Sequence, residues 1–187
     1  MKMKRTRIPP AVAVVAMLAA AGGIALAAQD KYSLRVPGGL SFSEFRGYEA
    51  WQTIAVSQNG DKIDVIVGNP AMIRAFQAGI PGSGKPFPNG AKMAKIHWTW
   101  KKNPAEPGDP TVPDSLHDVD FMAKDSHRFA DSGGWGFAEF EYDAAADTFR
   151  PGNLTDMPPQ AHDAKCGFAC HTIVAKKDYV FTTYQKR

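Results

Sequence analysis

Between Ala91 and Trp100 the side chains alternate so as to fix a strand with two unlike faces. One face carries Lys92, Ala94, Ile96, Trp98 and Trp100; the other carries Ala91, Met93, Lys95, His97 and Thr99. Successive side chains of a strand point to opposite sides of its sheet, so each set acts as a unit. The aromatic set reads as the core face. Lys95 and His97 then project together on the opposite side, beside Met93.

The flanking segments extend this strand into an antiparallel sheet. Phe42, Phe45, Tyr48 and Trp51 recur every three residues, which predicts a short helix leading to a strand over Thr53 to Ser57. Asn59-Gly60 is a tight-turn pair and Lys62 to Val67 is β-branched, so the two runs read as a hairpin. Asn69 and Pro70 suit the cap and first position of a helix over Ala71 to Ala78, with Gly79 as its stop. Gly79 to Gly90 reads as a loop. Its Gly82-Ser83-Gly84-Lys85 lacks the spacing and trailing hydroxyl of a phosphate loop. Asn103 to Asp114, with four prolines, reads as a connection. Leu116 to Ala123 and Trp135 to Tyr142 read as strands, Asp125 caps a short turn through Phe129, and Arg150 to Pro159 is a loop. The expected fold is α+β: an antiparallel sheet of about five strands, a few short helices and a C-terminal cysteine segment.

That segment is Cys166-Gly167-Phe168-Ala169-Cys170-His171, and it holds both cysteines of the chain. It differs from the haem-attachment pattern Cys-x-x-Cys-His by one extra spacer residue. On a helix, residues four apart share a face as residues three apart do, so both thiols can still address one haem. His171 would then be the proximal iron ligand. A disulfide is the plainer alternative, since helical Cα atoms four apart lie within bridging range; it leaves His171 without a purpose. A metal site of Cys166, Cys170, His171 and His162 is a third reading, with an awkward turn for the adjacent pair.

The N-terminus reads as an export signal. Lys2, Lys4, Arg5 and Arg7 precede an apolar run from Ala11 to Leu26, and Ala25-Leu26-Ala27 is a cleavage site. Removing residues 1–28 leaves one domain over 29–187 and changes the formal charge from +3 to −1. No basic stripe remains to suggest nucleic acid. Export implies an oxidising compartment, in which both haem attachment and disulfides occur.

Four elements recur in a known order: Phe87-Pro88-Asn89-Gly90 followed by Lys95; Lys124 to Ala130; Trp135-Gly136-Phe137; and Cys166 to His171 followed by Asp178-Tyr179-Val180-Phe181-Thr182. With them the chain, from about Trp51 to Arg187, resembles the cytochrome P-460 family of periplasmic mono-haem c-type cytochromes, related to cytochrome c'-beta. The resemblance implies haem c attached through Cys166 and Cys170, with His171 on a five-coordinate iron. It implies a further bond from Lys95, five residues after Gly90, to the haem macrocycle. It places Asp120 at the position of an acidic pocket residue, with Asp118, His97 and Glu139 as further candidate bases. Met93 and Met122 are candidate sixth ligands, although methionines on strand faces are usually packing.

The implied activity is oxidation of hydroxylamine to nitrous oxide or nitric oxide, with electrons passing to a soluble acceptor such as a c-type cytochrome. The alternative is a cytochrome that binds nitric oxide or carbon monoxide, or transfers electrons, without turnover; Phe121, Phe137 and Phe140 would line its apolar pocket, with core packing as their default reading. Analogy also suggests a homodimer through faces carrying Trp98, Trp100 and Phe140. The chain departs from the pattern in its three-residue cysteine spacer and in Asp64, where a hydroxylamine-oxidising member carries arginine. An inverted charge there would alter the local potential and substrate approach.

Overall fold

The computed structural model describes residues 29–161 and 167–186. The expected signal, Cys166 and His162 lie outside the described residues. The six strands are β1 (Gln52–Asn59), β2 (Lys62–Gly68), β3 (Lys92–Lys102), β4 (Thr111–Lys124), β5 (Trp135–Asp143) and β6 (Thr148–Pro151). They form one antiparallel sheet in sequence order, each strand paired to the next. Helix α1 (Pro70–Gln77) joins β2 to β3, and α2 (Phe168–His171) opens the C-terminal arm. The fold is α+β and mostly β.

Local chemistry sets these elements. The Asn69 side chain accepts from Met72 N–H at 2.9 Å and caps α1, with Pro70 at its first position. The expected helix over 42–51 is two separate 3-10 turns, Phe42–Phe45 and Tyr48–Ala50, split at Gly47, whose φ is +77°. A left-handed residue cannot continue a helix, and glycine takes that conformation without steric cost. β4 begins earlier than the prolines suggested. Pro113 pairs with Trp100 where the β3–β4 register shifts, an irregular stretch that tolerates the missing N–H. β6 occupies part of the segment expected as loop; its Phe149 packs on Phe42 and Tyr142.

Both faces of the sheet are covered. Residues 29–51 lie on the first face, with Phe42 among Tyr32, Tyr48, Phe121, Phe140 and Phe149. Phe45 stacks on Phe121 at a centroid distance of 4.0 Å. On the second face α1 packs near Ile54, Phe87 and Met93, and the C-terminal arm covers Trp135 and Phe137. Burying this many large side chains is the main driving force for the fold.

Glu44 ties the N-terminal segment to the rest. Its carboxylate accepts from Ser41 N–H at 3.0 Å and from Arg128 at 2.8 Å. Burial alone would raise its pKa, but Arg128 and Ser41 together hold it below the ordinary 4.5. A depressed carboxyl pKa stabilises the fold above about pH 4.5 and loses that contribution as pH falls through the folded value. Glu44→Gln should therefore lower the melting temperature at neutral pH, by an amount equivalent to about 1 kcal/mol or less for a partly exposed pair. Melting curves of both proteins should converge once the pH falls below the depressed value of Glu44; a gap that persists at still lower pH would count against the pair.

Candidate functional site

Antiparallel register lines up three rows of side chains on the second face. Met93, Met122 and Phe137 form an apolar row. Next to it run Ile66, Lys95, Asp120 and Glu139. The third row is Ser57, Asp64, His97, Asp118 and Glu141. The expected pairing of Lys95 and His97 on one side of β3 is thus present. The face is not solvated, because the C-terminal arm and α1 cover it.

Between the arm and the first two rows lies a cavity of about 450 Å³. Met93, Lys95, Asp120, Met122, Phe137 and Glu139 line it from the sheet; Gly167, Cys170, His171, Phe181 and Thr182 line it from the arm. Four of the five residues proposed for the site from sequence therefore meet at one cavity; the fifth, Cys166, is outside the described residues. Phe121 borders it but packs its ring against Phe42, Phe45 and Tyr48, and Phe140 does not line it. Alternation along β4 and β5 sends both to the first face, where each packs against Phe42. Phe137 does face the cavity. Met93 and Met122 are 5% and 8% exposed and pack in its wall.

His171 stands at the cavity wall with its ring between Phe137 and Phe181, at centroid distances of 5.0 and 5.1 Å. Its Nδ1–H donates to the Tyr179 carbonyl oxygen at 2.6 Å. That bond fixes the neutral tautomer and makes Nε2 the nitrogen with the lone pair, the arrangement a metal-ligating histidine needs.

The Tyr179 carbonyl is itself held by a buried clamp. Lys124, 6% exposed, donates to Asp178 Oδ1 at 2.7 Å and to the Gly133 carbonyl at 2.9 Å. Asp178 Oδ2 accepts from Phe87 N–H at 2.7 Å, and the Asp178 carbonyl accepts from Trp135 Nε1–H at 2.8 Å. These contacts hold Asp178 and Tyr179 at φ +49° and +63°, a left-handed pair that side chains resist. Gly133 makes room: a Cβ there would fall 2.2 Å from the Tyr179 ring. Lys124, Trp135, Asp178 and Tyr179 all belong to the motifs noted above, but their role as a clamp was not foreseen. Their spacing along the chain carries no sign that they converge.

The charged row is closely packed. Lys95 Nζ lies 3.1 Å from Asp64 Oδ2, and Asp64 Oδ1 lies 3.2 Å from His97 Nδ1. His97 Nε2 is 3.3 Å from Asp120 Oδ2 and 3.6 Å from Asp118 Oδ1. Burial would push the His97 pKa down, but the carboxylates of Asp120 and Asp118 outweigh it and hold the pKa above 6.5. Asp118 is raised, by burial first and by the charge of Asp120 second. Asp64, the site of the charge inversion, is the ion-pair partner of Lys95.

The cavity's donors suit a c-type haem. The imidazole has a fixed tautomer, the preceding residue is a cysteine, and the adjoining wall is apolar. The family model for cytochrome P460 matches residues 45–182. The chain belongs to the cytochrome P460 family. No curated protein matches it. Membership in a cytochrome family implies a haem, and the His171 cavity is where the described residues of this cytochrome P460 chain would hold one.

Proposed function

We propose that this cytochrome P460 chain is exported, carries haem c on Cys166 and Cys170 with His171 as the iron ligand, and oxidises hydroxylamine. The observation that carries the proposal is the His171 geometry: an Nδ1-anchored imidazole across one cavity from Lys95, Asp120 and Glu139. A haem bound there supplies a site for the substrate nitrogen and a route for its electrons to a soluble acceptor such as a c-type cytochrome.

The chain's own residues supply the rest. His171 fixes the proximal side, and Phe137 and Phe181 hold its ring. Met93, Met122 and Phe137 keep that end of the cavity apolar and exclude water. Oxidation of hydroxylamine releases protons, and Asp120 and Glu139, on neighbouring strands at one register position, are the carboxylates placed to accept them. Lys95 is next to Asp120 across β3 and β4, on the cavity side, where a bond from its amine to the macrocycle would distort the ring.

The Lys95–Asp64 ion pair favours a second reading. A lysine held by a buried carboxylate is satisfied without a cross-link, and the apolar row would then serve a protein that binds nitric oxide or carbon monoxide without turnover. One preparation separates the two. Protein matured in a host with haem-attachment machinery should show the polypeptide mass from residue 28 or 29 onward plus one haem. Proteolysis should yield a haem peptide joined to both the 166–171 segment and the segment containing Lys95. Hydroxylamine should reduce an added cytochrome c only when this protein is present. A haem peptide without Lys95, and no turnover, would select the gas-binding reading. Colourless protein with a mass two hydrogens below the reduced polypeptide would reject both.

A further inference from the structure

The geometry points to a divalent-cation site behind the cavity, formed by His97 Nε2, Asp118 Oδ1 and Asp120 Oδ2. These three residues offer ligand atoms that lie within 4.8 Å of one another. Nε2 is 3.3 Å from the Asp120 oxygen and 3.6 Å from the Asp118 oxygen. Bonds of about 2.0–2.2 Å to one ion at ordinary coordination angles place two ligand atoms about 3.0–3.6 Å apart, so both histidine–carboxylate separations already suit one ion.

Unpartnered buried atoms give an independent indication. His97 and Asp118 are each 7% exposed, and among the described residues His97 Nε2, Asp118 Oδ1 and Asp64 Oδ1 make no well-directed hydrogen bond, although Nε2 lies at ion-pair distance from Asp118 and Asp120. Leaving such atoms unpaired is costly, and a cation between Nε2 and Asp118 Oδ1 satisfies those two together. The groups around them hold each ligand from behind. Asp64, 2% exposed, lies 3.2 Å from His97 Nδ1 as an ion-pair contact, and Nε2, the other ring nitrogen, is the one near the two carboxylates. His117 Nδ1 binds the other oxygen of Asp118, leaving Oδ1 for the ion. Lys95 neutralises the far oxygen of Asp64 and Arg150 pairs with Glu141, which leaves Asp118 and Asp120 as the carboxylates facing His97 Nε2. One imidazole nitrogen and two carboxylate oxygens suit a borderline or hard divalent ion such as Zn²⁺ or Mn²⁺. Asp120 also lines the cavity, so an ion reaches the site from that side.

The test uses mature, haem-loaded protein stripped with chelator and titrated with Mn²⁺ alone. The room-temperature resonance of aqueous Mn²⁺ should disappear until one equivalent is bound, and added Zn²⁺ should restore it. Asp118→Asn should weaken binding by about 10–100-fold or more, whereas Asp114→Asn, at an exposed pair with Lys101, should leave it unchanged. His97→Gln gives a second variant with a near-neutral volume change. The readout is binding, so it stands or falls independently of hydroxylamine turnover. Absence of a saturating one-to-one phase in wild-type protein, or equal binding by Asp118→Asn and His97→Gln, would overturn the site and leave the row as a proton-holding network.

Discussion

Replacing Asp178 with alanine should cost about 3–5 kcal/mol of stability, the penalty for removing one member of a buried ion pair. Lys124 would keep its charge inside the protein with the Gly133 carbonyl and the face of the Trp135 ring as neighbours but no counter-charge, and Phe87 N–H would lose its acceptor. The left-handed turn at 178–179 would lose the contacts that hold it, and the Tyr179 carbonyl would no longer meet His171 Nδ1 in a fixed place. Two signals should therefore move together: the midpoint of chemical unfolding and the visible spectrum that reports iron ligation. Lys124→Met combined with Asp178→Ala should recover part of the stability, because no uncompensated charge remains buried. That double variant should not recover the spectrum, since the turn stays unanchored. A single Asp178→Ala variant within about 1 kcal/mol of wild type would show that the clamp is incidental.

Lys95→Arg should abolish hydroxylamine turnover while leaving haem attached through the cysteines. Arginine preserves the ion pair with the buried Asp64, so the charged row keeps its balance and the fold is not put at risk. It does not provide the lysine amine for a bond to the macrocycle. The spectrum should become that of an ordinary c-type haem, and the haem peptide should lose its link to the segment around position 95. Lys95→Leu should show the same spectrum and loss of turnover, with lower stability because Asp64 would be buried without its cation. Comparing the two separates the chemistry of the amine from the electrostatics of the pair. A Lys95→Arg variant with native spectrum and turnover would remove Lys95 from the catalytic argument.

Much of the fold was readable because short-range rules governed it. The Asn59-Gly60 hairpin, the Asn69 cap and the alternation through Lys95 and His97 each depend on neighbours along the chain. The two faces were harder. Alternation separated Lys95 from the aromatic set but could not reveal that residues 167–186 would fold over the Lys95 side and enclose it. Phe121 and Phe140 went to the other face for the same reason: the strand period says which residues travel together, not which side a loop will cover. Cys170 and His171 came from the spacing of the cysteine segment and Asp120 from the family resemblance, and the cavity joins them. The Lys124–Asp178 clamp is a product of long-range closure, with members 54 residues apart. No local signal announces such contacts.

Because the sheet is a simple meander, every ladder joins strands that are adjacent in sequence, and the arm bearing Cys170 and His171 contributes to none of them. The arm is fastened by side-chain anchors at Phe87, Lys124 and Trp135 instead. Scaffold and arm are therefore mechanically separable: spacer length in the cysteine segment can vary without shifting a strand register. The extra residue between the two thiols is a change that this division of labour accommodates.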